Sequence, residues 1–138
     1  LLNFDAKQAR VDLNGPKKMD GKSVYELKYV PKKGTGNITA FFYFDAETFR
    51  HLRSDFKAET VPTQGQRITD TAETIRYMIT ERFDDFKQVD GLTLPHSYKL
   101  DYSVDSPRGG FVGSWAYTIK QIVHNQSFEH QVFAPTQN

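Results

Sequence analysis

Four histidines, His51, His96, His124 and His130, are the side chains of this chain best suited to hold a metal ion or move a proton. No two of them stand four residues apart, as they would on one helix face, and no carboxylate pattern beside them matches a ligand motif. The sequence therefore predicts no metal site. Asp84 and Asp85 are adjacent, so on a regular strand they point to opposite faces and cannot act as an acid–base pair. Asp101 and Asp105 share a face with Ser103, and that face reads as the wet one. There is no G-x-S-x-G nucleophile elbow, and Lys32-Lys33-Gly34-Thr35-Gly36 has the composition of a hairpin turn rather than a phosphate cradle. Cysteine is absent, which removes disulfides, thiolate ligands and cysteine nucleophiles. These residues together predict no enzyme, no catalytic residue and no cofactor.

The elements that would position any site are strands. Period-2 alternation recurs along the chain. Over Lys22 to Val30, Tyr25, Leu27 and Tyr29 face one way and Glu26 and Lys28 the other. Over Asn37 to Asp45 both faces are apolar, with Ile38, Ala40, Phe42 and Phe44 on one and Phe41 and Tyr43 on the other. That strand is expected to lie inside the sheet. From Arg50 to Glu59, Leu52, Phe56 and Ala58 alternate with Arg53, Asp55 and Lys57. Ile75, Tyr77, Ile79 and Phe83 share a face, as do Tyr98, Leu100, Tyr102 and Val104. Phe111, Trp115, Tyr117, Ile119 and Val123 follow, and Trp115 is expected to be largely buried.

The breaks carry turn chemistry: Asn14-Gly15-Pro16, Asp20-Gly21, Pro31 to Gly34, Asp90-Gly91 and Ser106 to Gly110. Links this short join antiparallel neighbours, because a parallel crossover needs about a dozen residues. Thr60 to Asp70 reads as a mobile loop, and Ser127 to Phe133 as at most one short capped turn. The fold class is thus mainly β: a single curved antiparallel sheet of six or more strands with little helix. With 138 residues the chain is expected to form a single domain, 1–138.

An amphipathic sheet needs a cover for its apolar face, and this chain offers almost no helix to supply one. The aromatic rows therefore have two readings, core packing or an apolar concave wall for an acyl chain, for the Phe41/Tyr43 row or the Phe42/Phe44 row alike. The candidate ligand-binding residues are Phe42, Phe44, Tyr25, Leu27, Tyr98, Trp115 and Tyr117. Lys17-Lys18 and Lys32-Lys33 are isolated basic pairs at turns, and the formal net charge is +1, so no nucleic-acid partner is expected. No apolar run approaches the ~18 residues of a membrane span.

Several segments in order carry a family resemblance. They are Asp20-Gly21-Lys22 with Tyr25-Glu26-Leu27, Tyr43 to Thr48, Phe83 to Leu92 with Leu94-Pro95-His96, and Asn125 with Phe128 and Phe133-Ala134-Pro135. From about Asp20 to Pro135 the chain resembles the outer-membrane lipoprotein-sorting proteins, the LolA/LolB-like periplasmic carriers of Gram-negative bacteria, in a branch of uncharacterised members. The resemblance implies an antiparallel half-barrel that binds the acyl chains of lipoproteins or other lipids. Family helices lie largely N-terminal and between strands, so it also implies that these residues are the C-terminal part of a longer carrier-like chain. The function expected is a non-enzymatic lipid- or lipoprotein-binding domain of the cell envelope, periplasmic or secreted across the inner membrane. The alternative is a structural or interaction module that docks a protein partner on the same half-barrel.

Overall fold

Two Asp-Gly pairs set the tightest hairpins. In the computed structural model, which describes residues 8–32, 37–60 and 74–127, Asp20 and Gly21 have φ of 49° and 80°, and Asp90 and Gly91 have 49° and 82°. Two consecutive positive φ angles make the type I′ turn, whose twist matches that of the strands it joins. Met19 pairs with Lys22 across the first turn and Val89 with Leu92 across the second. The link after Asp45 is longer. There the Asp45 carboxylate accepts from the Glu47 and Thr48 amides and the Thr48 hydroxyl, at 2.8–3.1 Å. Ser106 to Gly110 closes through the Gly109 amide donating to the Ser106 carbonyl at 3.0 Å.

These links connect seven strands: β1 (Arg10–Met19), β2 (Lys22–Val30), β3 (Asn37–Asp45), β4 (His51–Thr60), β5 (Ile75–Val89), β6 (Leu92–Asp105) and β7 (Phe111–Thr118). They pair antiparallel in chain order, β1-β2-β3-β4-β5-β6-β7, as one sheet that does not close into a barrel. No helix occurs among the described residues. The expected mainly β, single-sheet fold is what the chain adopts. β3 lies inside the sheet, paired with β2 and β4. The loop expected from Thr60 to Asp70 falls outside the described residues after Thr60, which ends β4, and the expected turn falls outside them after Ser127.

Two expectations need correction, and both corrections are bulges. Asn14-Gly15-Pro16 does not turn the chain. It lies within β1, where the register to β2 shifts between Asn14 and Lys17. Pro16 has no N–H to give a ladder, and an edge strand tolerates that at a bulge. A second shift lies where Tyr43 pairs with Arg53 but Phe44 with His51. The extra residue is Leu52, so His51, rather than Leu52, stands opposite Phe44 on the face of Phe42 and Phe56.

The register sorts the side chains onto two unlike faces. One carries Glu26, Lys28, Phe41, Tyr43, Arg53, Asp55, Lys57, Thr80, Arg82, Lys99, Asp101 and Ser114. It is held by a polar ladder running across the strands. Lys17 pairs with Glu26, which also accepts from Asn14 at 3.0 Å. Arg53 Nε and the Thr80 hydroxyl both donate to Asp55 Oδ1 at 2.8 Å. Arg82 pairs with Asp101, which accepts from Ser114 at 2.6 Å. Burial pushes the Glu26 carboxyl up, but hydrogen bonds from Lys17, Asn14 and Tyr43 outweigh it and hold the group below its ordinary value. Burial, then its bond to Glu26, raises the Tyr43 phenol. Cations cover the aromatic rings of this face. Lys28 and Lys57 stand over Phe41 at 5.9 and 5.5 Å, and Lys17 and Arg53 over Tyr43 at 5.2 and 5.7 Å. Val24, Glu26, Asp55 and Thr80 are all buried here.

Candidate functional site: the aromatic face

The opposite face is built from the other parity of every strand. Tyr25 stands opposite Phe44 and Leu27 opposite Phe42; Tyr98 is opposite Tyr117 and Leu100 opposite Trp115. All seven candidate ligand-binding residues, Phe42, Phe44, Tyr25, Leu27, Tyr98, Trp115 and Tyr117, thus share one face. The choice between aromatic rows is also decided. Phe41 and Tyr43 lie under lysine and arginine on the polar face, whereas Phe42 and Phe44 belong to the apolar one.

The seven residues form two groups, on β2–β3 and on β6–β7. Three strand spacings of about 4.8 Å put roughly 14 Å between β3 and β6. His51 and Phe83 bridge that gap. The His51 ring centroid lies 5.9 Å from Phe42, 5.1 Å from Phe44 and 4.8 Å from Phe83. Phe83 lies 5.4 Å from Tyr98, and Tyr98 5.9 Å from Tyr117. One row of rings therefore crosses five strands, β3 to β7, at right angles to their direction. Each neighbouring pair adds about 0.5–1.5 kcal/mol beyond its area burial. At one end of the row Tyr25 stacks on Phe49 with centroids 6.2 Å apart. Beside the row opens a cleft of about 420 Å³, lined by Thr48, Phe49, Arg50, His51, Phe83, Phe86, Thr93 and Pro95.

Trp115 corrects an expectation. It shares the face of Tyr117 as expected, but it is 43% exposed, because β7 is the last of the described strands and no other described strand pairs with its outer edge. Its indole turns back along its own strand over Gly113, where a Cβ would stand 2.6 Å from the ring. Ile119 lies beyond β7, yet its amide still donates to the His96 carbonyl at 2.8 Å.

Polar groups sit in the middle of this apolar face, and the sequence reading passed over them. Ser54 stands opposite Phe42 on one side and Glu81 on the other. The Tyr98 hydroxyl donates to Glu81 Oε1 at 2.8 Å. Burial, then this bond, raises the Tyr98 phenol to about 12. His51 Nε2 lies 3.0 Å from both the Arg53 carbonyl and the Ser54 hydroxyl. Burial depresses the His51 imidazole, partly offset by the Arg53 carbonyl and the charge of Glu81. A signal for these residues was present. Ser54 and Glu81 occupy apolar parity positions, two before Phe56 and two before Phe83, and each interrupts an apolar row with a polar side chain.

Ser54, His51 and Glu81 have the residue types of a nucleophile, a base and an orienting carboxylate, but not their arrangement. A carbonyl only accepts, so the bond to Arg53 requires the proton on Nε2, the atom that would have to take the Ser54 proton. Ser54 is also 1% exposed. The remaining described histidines are engaged elsewhere: His96 Nδ1 with the Leu94 carbonyl and His124 Nδ1 with Asp90, each at 3.1 Å. Among the described residues no three His, Cys, Asp or Glu side chains converge to hold a metal ion. Nor is any helix among them long and apolar enough to cross a membrane. Comparison of the chain with known protein families, with curated proteins and with solved structures finds no match.

Proposed function

We propose that this domain is a non-enzymatic binder of acyl chains, a lipid- or lipoprotein-binding module of the Gram-negative cell envelope working in the periplasm. The observation that carries the reading is the continuous aromatic face from Tyr25 to Tyr117, which no described helix covers. Monomeric proteins rarely leave a contiguous apolar patch of more than a few hundred Å² to water. The row of rings and its adjoining cleft offer an apolar track of the kind an extended hydrocarbon chain follows. The resemblance to lipoprotein-sorting proteins gives the same ligand class and the compartment.

Native mass spectrometry of the purified protein tests the proposal, with a co-purifying acyl ligand as the expected result. Titration with an uncharged acyl dye should show binding that hardly changes between low and high salt, because the contact is apolar. Phe42→Asp and Phe44→Asp should each abolish it. Wild-type protein that binds no acyl chain and no apolar dye would refute the proposal.

A second reading, a partner-docking module, is favoured by the contrast between the two sheet edges. β1 is guarded by a bulge, Pro16 and two lysines, the usual means of blunting an edge. β7, Phe111-Val112-Gly113-Ser114-Trp115-Ala116-Tyr117-Thr118, carries no charge and no proline, and its Val112 is 80% exposed. Sedimentation measurements distinguish the readings: a ligand-free wild type that self-associates, and becomes monomeric on Val112→Lys, supports docking.

A further inference from the structure

Glu81 is anomalous on the aromatic face. From β2 to β7, up to the pair Asp84–Ser97, it is the one formally charged residue that the register of the described strands puts there. Its neighbours are Ile79 and Phe83 along β5, Ser54 across on β4 and Leu100 across on β6. The arginines and lysines of the central strands, Arg53, Lys57, Arg76, Arg82 and Lys99, project from the other face and pair there with Asp55, Glu59, Asp101 and Asp105 or cover Phe41. Glu81 instead accepts the Tyr98 hydroxyl on one oxygen, beside the half-buried His51, and no Lys or Arg of the described strands forms an ion pair with it. A carboxylate among rings, without a cation of its own, costs stability unless something else meets it. Carboxylate and ring faces together are the chemistry that recognises ammonium groups, the carboxylate by charge and the rings by their negative π faces. Here Phe83 and Tyr98, paired across β5 and β6 with centroids 5.4 Å apart, stand together on one side of Glu81, and the Tyr98 hydroxyl reaches its carboxylate.

We infer that Glu81, with Phe83 and Tyr98, is a head-group site selecting amphiphiles that carry an ammonium group over those that carry a carboxylate. The inference rests on the acyl-chain reading above and adds the polarity of the ligand. The hydrocarbon lies along the ring row and the ammonium stands at Glu81, while an anionic head is repelled by the same carboxylate.

The test is calorimetric titration of the intact protein at pH 7.5 with three probes of one chain length: dodecylamine, dodecanol and dodecanoate. Dodecylamine, charged at that pH, should bind at least tenfold tighter than dodecanoate, with dodecanol between them. Glu81→Gln should narrow the tenfold gap to about twofold. Asp101→Asn, a charge removed from the opposite face, should leave the gap intact. Glu81→Asp keeps the charge and should keep the preference, which separates charge from any loss of folding in the glutamine variant. Equal binding of the amine and the carboxylate by the wild type would overturn the head-group site and leave the acyl-chain reading standing. A gap that survives Glu81→Gln would overturn it too, placing the selectivity elsewhere. If dodecanol and both charged probes fail to bind, both proposals fall.

Discussion

Asp55 is the residue whose removal should most damage this sheet. It lies on β4, with three strands to either side, and is buried while accepting two hydrogen bonds of 2.8 Å, from Arg53 Nε and the Thr80 hydroxyl. Only Val24 and Ala40 are buried apolar residues among those described, so the polar ladder carries an unusual share of the cohesion. Asp55→Ala removes a nearly buried counter-ion and strands the hydroxyl of Thr80, itself 5% exposed. Breaking a buried pair from one side costs about 3–5 kcal/mol. Arg53 keeps some contact with water and with the Tyr43 ring, which favours the lower end, about 3 kcal/mol. Asp55→Asn keeps an acceptor for Thr80 but loses the charge assistance to Arg53, and should cost about 1–2 kcal/mol. Against a total of about 5–15 kcal/mol the alanine variant is a severe lesion. Urea unfolding at 25 °C measures these values from midpoints at constant slope. Thr80→Val alone should cost about 1 kcal/mol, and added to Asp55→Ala it should cost less than that, because the stranded hydroxyl is gone. An Asp55→Ala cost below about 1 kcal/mol, or strict additivity in the cycle, would refute the claim that this ladder holds the sheet together.

Three further outcomes follow from the aromatic face. His51 has its folded-state pKa depressed by burial, so between that value and the unfolded value of about 6.5 the unfolded chain binds more protons. Its contribution to stability is therefore complete above about pH 6.5 and is lost as pH falls toward the depressed value; His51→Phe should flatten the urea midpoint across that interval, and an unchanged slope would contradict its burial. Tyr98 should titrate near 12 by ultraviolet absorbance, and Glu81→Gln should bring it back toward 10, since the carboxylate is a cause of the rise. Trp115, at 43% exposure, should emit at long wavelength and be quenched readily by acrylamide; a blue-shifted, protected emission would mean that something covers β7.

Strand content was legible because alternation is local. Side chains two apart share a face whatever the rest of the chain does, so Lys22–Val30 and Asn37–Asp45 could be bounded to the residue from their own patterns. The Asp-Gly turns were legible for the same reason, since positive φ at two adjacent positions is a demand on those two residues alone. The interior place of β3 followed from apolar character on both of its faces. What the chain does not write locally is register. The bulges at Asn14–Lys17 and at Leu52 exist only relative to a partner strand, so Gly15-Pro16 looked like a turn and Leu52 took the place that belongs to His51.

The amino-acid sequence by itself determined that this chain forms one antiparallel β sheet with a surplus of aromatic side chains and no cysteine chemistry. It could not say which aromatic row is the apolar face, because both rows, Phe41 with Tyr43 and Phe42 with Phe44, are aromatic and alternate on one strand. Only the neighbouring strands decide that, by bringing Lys28, Lys57, Lys17 and Arg53 over the first pair and His51, Phe56 and Tyr25 to the second. The tertiary structure likewise decided that Trp115 is half open, through its place on the last strand. It also set Ser54, Glu81 and Tyr98 side by side from three strands. Residues 54, 81 and 98 are neighbours only through cross-strand pairing, a relation between distant parts of the chain that no period in the sequence encodes.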